Sequence, residues 1–121
     1  MSEELVRRYF AAVDAFDFED QIATVTPDVV FRFGNAPPIR GHDALRTANA
    51  ALLERVTSIQ HEIVGLWACD GCWAVETRVT YVDKQGRAFS YPACNLHFMR
   101  DGLFSEVRIF VDNHELFASA A

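Results

Sequence analysis

The sequence predicts a single α+β domain in which helices come first and an antiparallel sheet follows. Before residue 56, two stretches repeat apolar side chains at three- and four-residue spacing. From Ser58 onward, four strand-like runs alternate with the tight-turn sequences Asp70-Gly71, Asp83-Lys84-Gln85-Gly86 and Asp101-Gly102. Size agrees: 121 residues, half of them apolar and 12% aromatic, suffice for one core and one pocket. No linker, repeat or low-complexity stretch divides residues 1–121.

The elements follow in order. Leu5, Val6, Tyr9, Phe10, Val13 and Phe16 share one face of a helix over about residues 3–16. Glu3 and Glu4 fall in its first turn, where the positive end of the helix dipole favours acids. Asp17 can cap a short second helix, with Asp20 in capping-box position, and Thr26-Pro27-Asp28 ends it. Val29 to Phe33 read as a strand, and Gly34-Asn35-Ala36-Pro37-Pro38 as a loop that no helix or central strand would tolerate. Helical spacing returns over 43–56 through Leu45, Ala48, Leu52 and Leu53 or Val56. Three hairpins then join four strands into a meander, which the three helices cover.

Two-residue turns fix a register, because the residues flanking each turn pair directly and paired residues point to the same side of the sheet. Pairing Cys69 with Cys72, Asp83 with Gly86 and Arg100 with Leu103 sorts the side chains into two faces. One face mixes aromatic and polar groups: Trp67, Glu76, Arg78, Phe89, Tyr91, Asn95, His97, Glu106, Arg108, Phe110 and Asp112. The other is nearly all apolar, with Leu66, Val75, Trp73, Leu96, Val107 and Ile109. Two readings are open. Either the apolar face is the core beneath the helices and the mixed face is solvated, or the mixed face lines a pocket and the apolar face meets a second subunit.

Charge narrows the partners. Eleven basic and 17 acidic side chains give a net charge of −6, and the basic ones are scattered, so nucleic acid and acidic membrane surfaces are not expected. No stretch approaches the length of a membrane span, and the amphipathic start, MSEELVRRYF, does not resemble a secretory leader, which makes a cytoplasmic protein the expectation. Cys69, Cys72 and Cys94 are too few for a disulfide framework, and Cys69-Asp70-Gly71-Cys72 spans a turn without the second ligand pair that zinc requires. His42, His61, His97 and His114 offer no ligand spacing, so neither metal nor cofactor is expected.

Several segments together resemble a known family. Arg8-Tyr9-Phe10 through Val13-Asp14, Asp17-Phe18-Glu19 and Pro27-Asp28-Val29 are similar to the opening of the NTF2-like superfamily, in its ketosteroid isomerase and SnoaL-like polyketide cyclase branch. Gly41-His42-Asp43-Ala44-Leu45-Arg46 resembles the start of that family's third helix, and Arg100-Asp101-Gly102, Ser105-Glu106-Val107-Arg108 and Asp112 its final hairpin and closing acid. The resemblance implies a cone: a curved sheet wrapped around a cavity, with the mixed face and the even-numbered residues of the last strand looking inward. The apolar face would then join two copies into a homodimer through the outer sheet surface.

It also implies site residues. Tyr9 stands where ketosteroid isomerases place an oxyanion-binding tyrosine, and Asn95 where they place the second donor. Their general base lies on the first strand, where this sequence has Phe33 preceded by Arg32, which departs from steroid isomerisation. SnoaL-like cyclases use an aspartate at the end of the last strand, matched by Asp112. Asp112 could equally cap the segment Asn113-His114-Glu115-Leu116, Tyr9 could be ordinary core packing, and Pro92 could bulge its strand and turn Tyr91 away. His97, paired with Glu106, is a candidate acid or base or a surface ion pair, and His42, His61 and His114 show no comparable partner. Contacts to a small apolar or polyoxygenated carbonyl compound are expected from Val13, Phe31, Phe33, Trp67, Arg78, Tyr91, Arg108 and Phe110. The implied chemistry is cofactor-free enolisation, as in isomerisation, aldol cyclisation or dehydration, and its rival is a non-catalytic module of the same fold.

Overall fold

The computed structural model describes residues 2–119. The chain folds as α1 (Ser2–Asp14), α2 (Phe18–Ile22), β1 (Val25–Phe33), β2 (Ile39–Arg40), α3 (His42–Leu53), β3 (Val56–Cys69), β4 (Cys72–Asp83), β5 (Ala88–Arg100), β6 (Leu103–Val111) and α4 (His114–Ser119). One six-stranded sheet has the order β2-β1-β6-β5-β4-β3, antiparallel except where β1 runs parallel to β6. The expected α+β class and helix-first order hold, with a short β2 and a C-terminal α4 added.

α1 buries Val6, Tyr9, Phe10 and Val13, the stripe its spacing foretells. It ends at Asp14, two residues early: the amide of Asp17 donates to the carbonyl of Ala12 and that of Phe16 to Val13, with Phe16 at φ 57°. That is a Schellman closure, here with a phenylalanine where glycine is usual. Asp17 caps α2 as expected, accepting from the Asp20 amide at 3.2 Å. β1 begins at Val25, not Val29, and takes in Thr26-Pro27-Asp28. Proline fits there because the β1–β6 register shifts between Val25 and Val30, so no ladder bond is asked of it. α3 stops at Leu53, because Val56 already pairs with Asp83 at the start of β3.

The three hairpins are where expected, but each ladder departs from the expected register by one residue over part or all of its length. Asp70-Gly71 pairs Cys69 with Cys72 as foreseen. The second loop has three residues, not two: the amide of Asp83 donates to the carbonyl of Arg87, and Gly86 sits at φ 82°. The Asp83 carboxylate folds over that loop, accepting from the amides of Gln85 and Arg87 and from the Arg87 guanidinium. The third turn pairs Arg100 with Leu103 as foreseen, but Ser105 then bulges, its hydroxyl donating to the carbonyl of Phe98 at 3.3 Å. A further bulge at Val64 shifts β3.

Each one-residue slip turns a strand over relative to its neighbour. Asn95 therefore pairs with Val75 and Ile109, and His97 with Trp73 and Val107. The inner face, against the helices, combines Val75, Thr77, Val79 and Tyr81 with Ala93, Asn95 and His97 and with the odd-numbered Val107 and Ile109 of β6. Beyond the Ser105 bulge the even-numbered residues of the last strand, Glu106, Arg108 and Phe110, look outward, contrary to expectation, and Glu106 pairs with Phe98, not with His97; before it, Phe104 is fully buried on the inner side. Pro92 causes no bulge. The ladder alternation puts its nitrogen on the β6 side, where β6 ends opposite Ala93.

Candidate functional site

A cavity of about 530 Å³ lies between the helices, β1 and the inner sheet face. Its wall is largely aromatic and aliphatic, and polar groups enter it at a few positions.

The first is His61, brought to the wall by β3. β3 is the edge of the sheet, so alternate backbone amides have no strand to bond. The last residue of α1 fills that gap: one oxygen of Asp14 accepts from the His61 backbone amide at 2.9 Å, and the other meets His61 Nδ1 at 2.6 Å. A carboxylate can only accept, so Nδ1 carries a proton, and the neutral tautomer this contact selects has its lone pair on Nε2. The ring is half-buried and packs against Phe10, with centroids 4.8 Å apart. The expectation that His61 has no partner is thus corrected.

The second is a directed chain of buried amides ending on Tyr9. Asn49 Nδ2 donates to Gln21 Oε1 at 2.8 Å, and Gln21 Nε2 donates to the Tyr9 hydroxyl at 3.2 Å. With its oxygen engaged as an acceptor, the Tyr9 hydroxyl has its proton free to donate, and such a chain polarises each link in the same direction. Burial pushes the Tyr9 phenol up to about 12, with the Gln21 bond opposing the shift, so it is a neutral donor. Asn95, only 2% exposed, also lines the cavity.

The sequence-derived site residues divide into three groups, with Asp112 apart from all of them. Tyr9, Asn95, Val13, Phe31 and Phe33 line the cavity together. His97 and Tyr91 are on the inner face but outside the lining. His97 is fully buried behind Tyr9, Phe10 and Phe104, and neither ring nitrogen has a hydrogen-bond partner. Burial, with the nearby His61 adding to it, depresses its pKa to about 3, so it is a neutral core residue. Tyr91 packs against Tyr81. Trp67, Arg78, Arg108 and Phe110 are on the outer face, because of the register slips; Arg108 bonds Glu106 at 2.7 Å and lies 4.6 Å over the Phe98 ring. Asp112 is exposed and accepts from the His114 amide at 3.3 Å, the capping role open to it in the sequence. Ile109, expected on the dimer face, lines the cavity.

Sequence reasoning missed Asp14, Gln21, Asn49 and His61. A signal existed for two of the four. Asp14 puts a negative charge at the negative end of a helix, and Asn49 interrupts the stripe of Leu45 and Leu52 on α3. Among the described residues no three His, Cys, Asp or Glu side chains cluster as metal ligands, and no helix is long and apolar enough to cross a membrane.

Residues 6–107 match the SnoaL-like domain. None of the curated proteins matches the sequence. Among solved structures, a candidate polyketide cyclase from Xanthomonas campestris pv. campestris is 20% identical with a TM-score of 0.88, over 99% of this chain and 96% of its own. An NTF2-like protein of unknown function from Burkholderia pseudomallei is 14% identical with a TM-score of 0.89, over 97% and 95%. TerC, co-crystallised with polyporic acid, is 14% identical with a TM-score of 0.87, over 98% and 97%. At such identities the likeness is one of fold, here the NTF2-like fold, but the domain match spans most of the sequence, and the chain belongs to the SnoaL-like domain family.

Proposed function

We propose that the chain binds a small, largely apolar carbonyl compound in its cavity and catalyses cofactor-free proton transfer next to the carbonyl. The observation that carries this reading is His61, held from behind by Asp14, on the wall of a cavity that also holds Tyr9 and Asn95. His61 Nε2 takes a proton from the carbon beside the carbonyl, and the C–H electron pair moves into the C=C bond of an enolate. Tyr9 and Asn95 donate to the oxygen on which negative charge gathers. Asp14 stabilises the imidazolium that forms and holds the ring in the tautomer that left Nε2 free. Return of the proton to another carbon gives isomerisation, attack on a second carbonyl gives cyclisation, and loss of a β-hydroxyl as water gives dehydration. The base is thereby placed at His61 in preference to Asp112, and the co-crystal of TerC with polyporic acid supports small-molecule binding by this fold.

The test is proton exchange in D₂O on a simple ketone such as 2-tetralone, followed by NMR. The wild-type protein accelerates exchange, and Asp14→Asn, which would present an amide to Nδ1 and force the other tautomer, slows it about 100-fold or more. Asn95→Leu removes a donor and slows it about 100-fold. Ketone binding without any acceleration favours the non-catalytic alternative. A homodimer through the outer sheet face completes the reading; that face carries Val64, Trp67 and Phe110, all more than half exposed.

A further inference from the structure

The cavity is charged in the sense opposite to the chain. The protein carries a net charge of −6, yet among the described residues no Asp or Glu lines the cavity, the Asp14 carboxylate being matched to His61 behind the wall, and the one Arg or Lys on that wall is Arg55. Arg55 follows α3 in the turn that leads into β3. The lining residues that stay exposed, among them Asn35, Pro37, Ala51 and Arg55, mark the mouth, whereas Tyr9, Gln21, Asn49 and Asn95 are buried. Arg55 is also held in place there. Its guanidinium lies 5.6 Å over the Phe117 ring, and Phe117 meets Phe33 edge-on at 6.3 Å. Among the described residues no carboxylate pairs with it, whereas Arg8, Arg46, Arg100 and Arg108 each have one.

Resting on the reading above, we infer that the substrate is an anion: an apolar, ring-bearing molecule whose ionised acid group is bound by Arg55 at the mouth while its carbonyl reaches Tyr9 and Asn95. A guanidinium offers a planar fork that matches a carboxylate in two parallel hydrogen bonds, and the Phe117 ring beneath leaves its edge free for them. The amides of Asn35 and Asn113 flank the same opening and can donate to the lone pairs that the fork leaves open on the carboxylate's two oxygens. The acid group thus fixes which end of the molecule enters first, and so which carbon meets His61.

The test compares two probes of equal size, 2-naphthoate and its neutral methyl-ketone counterpart 2-acetylnaphthalene, titrated by calorimetry into the full chain at low salt. The wild-type protein binds 2-naphthoate about tenfold more tightly than the ketone. Arg55→Gln removes that preference and leaves ketone affinity within about twofold, and Arg55→Lys, which keeps the charge but not the fork, retains part of it. Thermal melts confirm that both variants fold. Equal binding of the two probes by the wild type overturns the inference and leaves the carbonyl-binding reading intact. So does a preference that survives Arg55→Gln, or one that disappears only in His61→Gln. Failure of both probes to bind the wild type overturns both.

Discussion

Two histidines lie close together in this protein, and their partners give them opposite characters. His61 has a carboxylate on Nδ1 and a face on the cavity; His97 has only the rings of Tyr9, Phe10 and Phe104 around it. Because folding excludes a proton from His97 down to about pH 3, while the unfolded chain takes one up near 6.5, stability is greatest above pH 6.5 and falls as the pH drops from there toward 3. The loss from this residue runs at up to about 1.4 kcal/mol for each pH unit in that window. Denaturant midpoints at pH 7.5, 5.5 and 4.5 should therefore fall, and fall less for His97→Leu, which also removes two unpartnered polar atoms and should be at least as stable as wild type at pH 7.5. An equal slope in the variant would show that the acid lability comes from elsewhere. None of this contrast is visible in the sequence, where His97 has an acid for a register partner and His61 has none. The pairing that matters joins residues 14 and 61, and only the packing of α1 on the sheet edge makes them neighbours.

At the scale of elements, the sequence shows where chains turn but not how many residues a turn consumes. All three hairpins were legible from their Asp and Gly content. Whether Lys84-Gln85 or Lys84-Gln85-Gly86 forms the second loop depends on the Asp83 side chain closing over it, and Ser105 bulges by bonding backwards across the ladder. Each of these details is worth one residue, and one residue decides whether Ile109 or Arg108 faces the cavity. Asn95 and Tyr9 reach the cavity wall because both features that displaced their neighbours lie outside β5 and α1. The loop itself can be tested cleanly. Gly86 has φ 82°, and no atom lies within 4 Å of the point a Cβ would occupy, so Gly86→Ala meets conformational strain and no clash. It should cost about 1 kcal/mol in urea denaturation, and Gly86→Asn, which tolerates the left-handed region, should recover most of that. Equal stability of all three would mean that the loop relaxes into another conformation.

For the whole molecule, the decisive quantity is the apolar area that remains outside the core. Half the residues are apolar, and the inner face, the helices and the cavity wall absorb most of them. Val64 at 57%, Trp67 at 54% and Phe110 at 57% exposure are left on the outer face, in company with Leu96, Phe98 and Cys94. A two-fold dimer buries such a face against its own copy, and Glu76 and Arg78, adjacent charges of opposite sign on β4, can pair across it without leaving either unmatched. A stable interface of this kind hides about 800 Å² on each partner, within the span of four strands. Phe110→Glu places a charge at its centre and should convert a dimer to a monomer in sedimentation equilibrium. Gly65→Ala tests the same face without adding charge. A Cβ at residue 65 would come within 2.2 Å of the Trp67 ring, which must then swing off the strand it covers. Because that ring is half-exposed, the fold tolerates the movement, and the expected result is a native melting curve with a weakened dimer. A wild-type protein that sediments as a monomer, or a dimer indifferent to both substitutions, would leave the outer face without its second copy.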